Sequence, residues 1–248
     1  MKYMRFACLL PCAFPLAAFA AHPLSTEDTG VQGAGNWQFE FNSDAARQRN
    51  THDSDIVANA TLTTGLADTL DLALNLPWQR LQSGDDPRET QRGWGDASVF
   101  LKWRVWERDK LSLALKPQLS LPTGDHARGL GSNRYQPALT GVASWGDDRL
   151  TLLGNVGYQY ADNGDGQRKD IWSTSTAALI GLTQKVRLVG ELGTYTNADP
   201  ASGKYPAFAN IGVIYSPTDK LDLDVGYRHG LNSAEVLYQF GAGVTVRW

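Results

Sequence analysis

Basic residues recur two apart in "LKWRVWE", where Lys102 and Arg104 alternate with apolar neighbours, and Lys116 stands among leucines in "LSLALKPQL". Acids are placed the same way: Glu40 in "WQFEF", Asp71 in "LDLALNL", Glu191 in "VRLVGEL" after Arg187, and Asp222 and Asp224 in "LDLDVGY". On an extended chain, charges at every second position all point one way. Acids on one wall facing bases on another would set a field across the space between them and orient a dipolar solute. The same charges would equally serve to pair with one another, or with an inserted segment, and fill a tight interior.

Hydrolysis and metal binding need different constellations. His126 and Ser132 share "PTGDHARGLGSN", and His229 and Ser233 share "HGLNSAE", which raises a rim lipid hydrolase as an alternative. A hydrolase needs a nucleophile, a base and an orienting group in reach of one another. Neither stretch supplies an evident third member, and glycine-rich turn chemistry accounts for both, so no catalytic residue is assigned. Asp162, Asp165 and Asp170 in "ADNGDGQRKD" lack the spaced oxygen ligands and terminal glutamate of a helix-loop-helix calcium site. The glycines of "FGAGVTVRW" precede no helix that could receive a phosphate, and they read as bending points at the end of the chain. No metal and no cofactor is expected.

The elements that carry these charges are strands. Leu111, Leu113, Leu115, Leu119 and Leu121 alternate with polar residues, as do Leu70, Leu72, Leu74, Leu76 and Trp78, a period of two that a helix would scatter around its surface. Marking every such run predicts about twelve strands, near 35–44, 54–64, 69–78, 95–106, 111–121, 135–145, 150–160, 171–182, 186–195, 207–216, 221–228 and 236–248. Many are about ten residues long, the length a tilted strand needs to cross a bilayer. Tight turns ("GLADT", "ERDK", "GDDR", "TQK", "PTDK") alternate strictly with long loops. The predicted fold is therefore all-β, a transmembrane antiparallel up-and-down barrel with short turns and both termini in the periplasm. Pro117 and Pro137 fall inside strands and mark candidate bulges.

Aromatic residues cluster at strand ends. Trp37, Trp106, Trp145 and Trp248 fall at the short-turn ends, and Trp78, Trp94 and Trp172 at the long-loop ends, as two membrane-interface girdles would require. Trp248 ends the chain on a strand, which closure against the first strand would keep paired.

Three segments follow. Lys2 and Arg5 precede an apolar stretch and the small-x-small site Ala18-Phe19-Ala20, so residues 1–21 are expected to be a signal peptide cleaved after Ala20 or Ala21. Both cysteines, Cys8 and Cys12, lie inside it, leaving no disulfide to the exported chain. Removing two of the 23 basic residues against 26 acids changes the net charge from −3 to −5, with no basic patch for nucleic acid. Residues 22–34 are a periplasmic segment or a plug, in which Glu27 and Asp28 would reach Lys102 or Arg104 if it folded inward. Residues 35–248 form the barrel.

"HPLSTEDTGVQGAGNWQFE", "GWGDASVFLKWRVWE", "LKPQLSLPTGD" with "RGLGSN", and "LDLDVGYRHGLN" resemble the outer-membrane family of MetA pathway of phenol degradation proteins. The resemblance implies a barrel that helps hydrophobic or aromatic compounds across the bacterial outer membrane. The residues themselves predict a passive channel with Glu40, Asp71, Lys102, Arg104, Lys116, Arg187, Glu191, Asp222 and Asp224 along the solute path. The alternative is a structural or surface-interaction barrel with a filled lumen. Expected partners are outer-membrane lipids and lipopolysaccharide, a small-molecule solute, and the barrel-insertion machinery, whose recognition signal Val244, Val246 and Trp248 resemble.

Overall fold

The computed structural model describes residues 22–49, 53–84 and 89–248; the expected signal peptide, 1–21, lies outside them. Thirteen strands form one antiparallel sheet: β1 (Trp37–Arg47), β2 (Ser54–Ala67), β3 (Leu70–Ser83), β4 (Glu89–Trp94), β5 (Ser98–Arg108), β6 (Leu111–Ser120), β7 (Gln136–Asp147), β8 (Leu150–Tyr160), β9 (Asp170–Gly181), β10 (Val186–Tyr195), β11 (Ala207–Thr218), β12 (Leu221–Gly230) and β13 (Tyr238–Arg247). Each strand pairs with its sequence neighbours, except that β3 pairs with both β4 and β5, and β1 pairs with β13. Pairing of β2 with β3 completes a closed barrel of twelve strands with β4 as an addition.

Closure runs from Gln38 opposite Arg247 to Arg47 opposite Tyr238. It extends one residue further, since Trp37 N–H donates to the Trp248 carbonyl at 2.9 Å and Trp248 N–H returns the bond at 3.0 Å. The terminal tryptophan is thus held in a ladder, as an unpaired final strand would not be.

Alternation sorts the side chains. Leu74, Leu76, Leu113, Leu115, Leu152, Leu192, Ile211 and Val225 are 38–64% exposed, while polar neighbours such as Thr61, Asp71, Asn75, Lys116 and Glu191 are at most 4% exposed. The wall is apolar outside and polar inside, the reverse of a water-soluble sheet, and its outer belt is too continuous to face water. An eleven-residue strand spans roughly 36 Å, and a tilt of about 40° projects this to roughly 28 Å, near the ~25 Å apolar band of such barrels. Among the described residues no helix is long and apolar enough to cross a membrane, which says nothing about strands.

Two expectations need correction. The long loop expected after the third strand is in part a hairpin: β3 runs on to Ser83 and pairs with β4, Trp78 opposite Trp94. Below it β5 takes over with Ser98 opposite Asn75. Gly95, Asp96 and Ala97 leave the ladder between them, and the Asp96 carboxylate accepts the Gly124 N–H, the Ser132 N–H and the Ser132 hydroxyl at 2.7–2.8 Å. That irregularity replaces the bulges expected at the prolines. Pro117 and Pro137 sit in an unbroken β6–β7 register, opposite Leu139 and Leu119, with their rings on the outer face, while on the β5 side of β6 pairing lapses at Pro117, between Phe100 opposite Gln118 and Trp103 opposite Leu115.

The two-sided wall yields a direct test. Ile211→Arg, at mid-height on the outer face of β11, should destabilise the refolded barrel in lipid by about 2–4 kcal/mol, while Asp165→Arg in a long loop should leave it near wild type. Denaturant titration in vesicles measures both; equal effects would contradict a lipid-facing outer wall.

Candidate functional site

The barrel interior is occupied by the chain's own N-terminal stretch. Residues 22–36, "HPLSTEDTGVQGAGN", carry three glycines and no two-residue alternation, so they make no strand and must find partners for their backbone elsewhere. They find them on the inner wall. The Ser25 N–H donates to both carboxylate oxygens of Glu191 at 3.0 Å, and Thr26 Oγ1 donates to Glu191 at 2.7 Å and is placed to accept from the Ser175 hydroxyl at 2.8 Å. Asn210 Nδ2 donates to the Pro23 carbonyl, Thr29 N–H to Ser144 Oγ at 3.1 Å, and Gln32 N–H to Asp71 at 3.0 and 3.1 Å. The Asn155 amide lies 2.6 and 3.1 Å from the Glu27 N–H and carbonyl, placed to satisfy both. Leu24 enters an inner apolar patch of Leu153, Ala177, Val189 and Ile214.

The head of this segment has a fitted seat. Added Cβ atoms at Gly212 and Gly226 would stand 2.5 and 2.4 Å from Pro23, and at Gly241 and Gly243 2.5 and 3.0 Å from His22. Four wall glycines on β11, β12 and β13 therefore give the head its space, which is a more specific role than the strand bending expected of the last two. His22 bonds Asp224 through Nδ1, and its Nε2 lies 3.4 Å from Asp44.

Charge complementarity runs along the whole segment. Glu27, fully enclosed, places one oxygen on Lys116 and the other 2.9 Å from Lys102, and Asp28 lies 3.6 Å from Lys102. A positive head on the acidic wall and a negative middle on the basic wall make the segment the electrical counterpart of the lumen. Removing one partner of a buried pair typically costs about 3–5 kcal/mol, because the other is left buried and uncompensated.

Little space remains. A cavity of about 10 Å³ adjoins His22, Asp44, Arg228 and Gln239 toward the long-loop end, and one of about 70 Å³ lies toward the short-turn end. The larger is bordered by Leu24, Leu153 and Ile214 on one side and Arg187, Asp222 and Arg247 on the other. A water needs roughly 10–15 Å³ by this measure, and a benzene ring occupies a cavity of about 150 Å³. These two spaces admit water and exclude an aromatic ring while the segment is seated.

The residues singled out by alternation divide into groups. Lys102, Lys116, Glu191, Asp71 and Asp224 contact the segment, as described. Asp222 instead joins Arg247 at 2.9 Å and Arg187 at 3.7 Å. Glu40 points inward on β1, between Thr61 and Thr245 of the neighbouring strands. Arg104 is inward opposite Ala114, bonds the Asp68 carbonyl at 3.3 Å and lies 3.2 Å from Glu107 near the short-turn end; of the two bases expected to meet the segment it is Lys102 that does, together with Lys116. Asp44 and Arg228 escaped notice, although Asp44 continues the inward series Gln38, Glu40, Asn42. Arg228 donates to the Ser25 hydroxyl and stacks 3.7 Å from the Phe208 ring centroid.

The serines and histidines of the two stretches bond elsewhere: His126 opens a single 3-10 turn, His126–Arg128, and His229 lies at the end of β12. Ser132 bonds Asp96 and the Arg134 carbonyl, His126 Nδ1 faces the Gly131 carbonyl, Ser233 accepts from Lys204, and His229 faces the Tyr227 hydroxyl. Asp162 pairs with Lys169 at 3.2 Å while Asp170 accepts from Tyr158 at 2.7 Å, so the acids of that loop do not converge. The expected girdle residues Trp37, Trp106, Trp145 and Trp248 stand exposed at the short-turn end, and Trp94 and Trp172 at the other, with Trp78 half-buried beside Trp94.

His22, outside the spanning strands, titrates. Burial opposes its charge, but hydrogen bonds to Asp224 and Asp44 and the charges of those acids outweigh burial and raise its pKa from 6.5 to about 9. A raised pKa means that the seated form holds the proton more tightly, so the contribution is complete below the free value and is lost as pH rises through about 9. Conductance of the reconstituted barrel should therefore increase between roughly pH 8 and 10, and His22→Gln should remove that step. Gly226→Val should unseat the head at neutral pH and give the higher conductance without titration. A pH profile shared by wild type and His22→Gln would assign the step to another group.

Comparison with known proteins agrees with this architecture. An outer membrane channel from Pseudomonas putida F1 superposes with a TM-score of 0.69 at 18% identity, covering 89% of this chain and 98% of that one. The monoaromatic hydrocarbon channel CymD superposes at 0.53 and 8% identity over 87% and 88% of the two chains. The KdgM porin superposes at 0.53 and 11% identity over 84% and 98%. These likenesses establish a shared fold. No curated protein matches by sequence. The profile described as "Putative MetA-pathway of phenol degradation" matches residues 23–248, which include the lumen segment after His22 and every described strand, and the chain belongs to that family.

Proposed function

We propose that this protein is a passive channel or facilitator of the bacterial outer membrane for small hydrophobic or aromatic molecules, closed at rest by residues 22–36. The observation that carries this reading is the kind of closure. The lumen is filled by a tethered segment that meets the wall through ion pairs and hydrogen bonds, contacts that water and solute can replace as it leaves. The preference for aromatic solutes rests on the family description and on relatives of the same fold that include a monoaromatic hydrocarbon channel.

In this reading residues 1–21 direct export and are removed, the short turns face the periplasm, and the tryptophan girdles lie at the two lipid interfaces beside lipopolysaccharide outside. The last strand, with Val244, Val246 and Trp248, is the segment offered to the insertion machinery. The small residual cavities favour a second reading, a structural barrel whose lumen never opens.

A reversible lock separates the two. The Thr29 and Ser112 hydroxyls touch, so Thr29→Cys with Ser112→Cys places two sulfurs within disulfide reach, in a chain whose own cysteines lie within residues 1–21. Liposomes bearing the reduced double variant should take up benzyl alcohol above empty liposomes, oxidation should abolish the excess, and reductant should restore it. No uptake from reduced, folded protein, verified by a heat-modifiable gel shift, would favour the structural barrel; uptake insensitive to oxidation would remove the segment from the route.

A further inference from the structure

We propose that Lys102 and Lys116 form a binding site for an aromatic monocarboxylate, which Glu27 occupies as an internal surrogate while the segment is seated. The proposal rests on the channel reading and names a substrate class for it.

The geometry of Glu27 is that of a bound ligand. Its two carboxylate oxygens are divided between two ammonium groups, Oε1 to Lys116 and Oε2 to Lys102 at 2.9 Å, and the Glu27 and Lys116 side chains are 0% and 1% exposed. Two neighbouring ammonium groups repel each other and lose hydration when enclosed, so an anion between them stabilises this part of the wall. That anion is carried on a detachable segment. Departure of the segment removes Glu27 and Asp28 together and leaves two convergent donors that a small carboxylate satisfies with charge-assisted hydrogen bonds.

The surroundings select the rest of the molecule. Phe100, buried and inward on β5 two residues nearer the long-loop end, has its ring centroid 4.2 Å from Lys116 Nζ, so an apolar surface adjoins the charged head. One layer further up the same two strands, Ser98 stands opposite Ser120, and Asn75 stands opposite Ser98 on β3. The Ser98 and Ser120 hydroxyls and Asn75 Oδ1 are buried without hydrogen-bond partners, groups that suit a polar ring substituent. A second negative charge is disfavoured, because Asp71 lies across the ladder from Lys102 and Glu40 faces the same lumen. Carboxylate, ring and single charge together specify the class.

Benzoate and benzyl alcohol, alike in size and unlike in charge, are the probes. Binding to the refolded full chain is measured by calorimetry for wild type, Glu27→Gln, and Glu27→Gln combined with Lys102→Gln and Lys116→Gln. The ratio of benzoate to benzyl alcohol affinity should rise at least tenfold in Glu27→Gln and fall back in the triple variant. An unchanged ratio in Glu27→Gln, or a gain that survives loss of both lysines, overturns the proposal. If Glu27→Gln does not fold, the Thr29→Cys/Ser112→Cys barrel gives the same decision: benzoate should slow disulfide formation by competing with Glu27, benzyl alcohol should not, and equal rates overturn the site. Benzyl alcohol uptake by the reduced lock variant decides the channel reading separately, so the two can fail independently.

Discussion

Two ammonium groups enclosed in a polar barrel require an anion, and the organisation of the interior depends on how that requirement is met. The wall offers Asp71 beside Lys102 and the Phe100 ring beside Lys116, and a residue from outside the sheet, Glu27, bridges the two lysines. Placing Glu27 there draws its neighbours across the lumen. Asp28 follows toward Lys102, Thr29 meets the hydroxyls of Ser112 and Ser144, and on the other side the chain reaches Glu191, Asn210 and finally the acids around His22. A wall of one charge polarity opposite a wall of the other is costly wherever the charges are enclosed without partners. Filled by a segment of reversed polarity, it becomes a docking surface with a defined orientation.

Backbone pairing supplies the frame that makes such an interior affordable. A closed ladder leaves no edge for another chain, so the strands need no disulfide, and the charges inside are tolerated because the exterior carries the apolar burial. The interruption at Gly95–Ala97 is sealed locally by the Asp96 carboxylate and the loop that carries buried Leu130. Polar interior and apolar exterior are thus two aspects of a single alternating sequence.

That alternation is why so much of the fold could be read from the chain. A period of two identifies both the strand and the side facing inward, so Lys102, Lys116, Glu191 and Asp224 were placed on the inner wall before any coordinates. The hairpin of β3 and β4 was missed because "QRLQSGDDPRETQRGW" is polar on both faces: above the bilayer a strand has no lipid side to mark it. Arg104 is inward as alternation places it, opposite buried Ala114, but alternation along one strand does not say which inward base a carboxylate of the segment meets. The seat for His22 was illegible for another reason. Gly212, Gly226, Gly241 and Gly243 come from three strands, and only the register of β11, β12 and β13 brings them under one histidine–proline pair.

The lumen segment joins β1 at the short-turn end, and Gly33 and Gly35, both with left-handed φ, lie in its last stretch. It therefore enters the barrel from the end at which it is tethered, and can leave without opening the wall. A short tether also holds Glu27 at a high effective concentration beside its lysines. Any free molecule that contends for the contacts of Glu27 has to match that local abundance, by its own concentration or by affinity. On the proposed channel reading the barrel is a threshold device, indifferent to traces of a solute and responsive once it is plentiful.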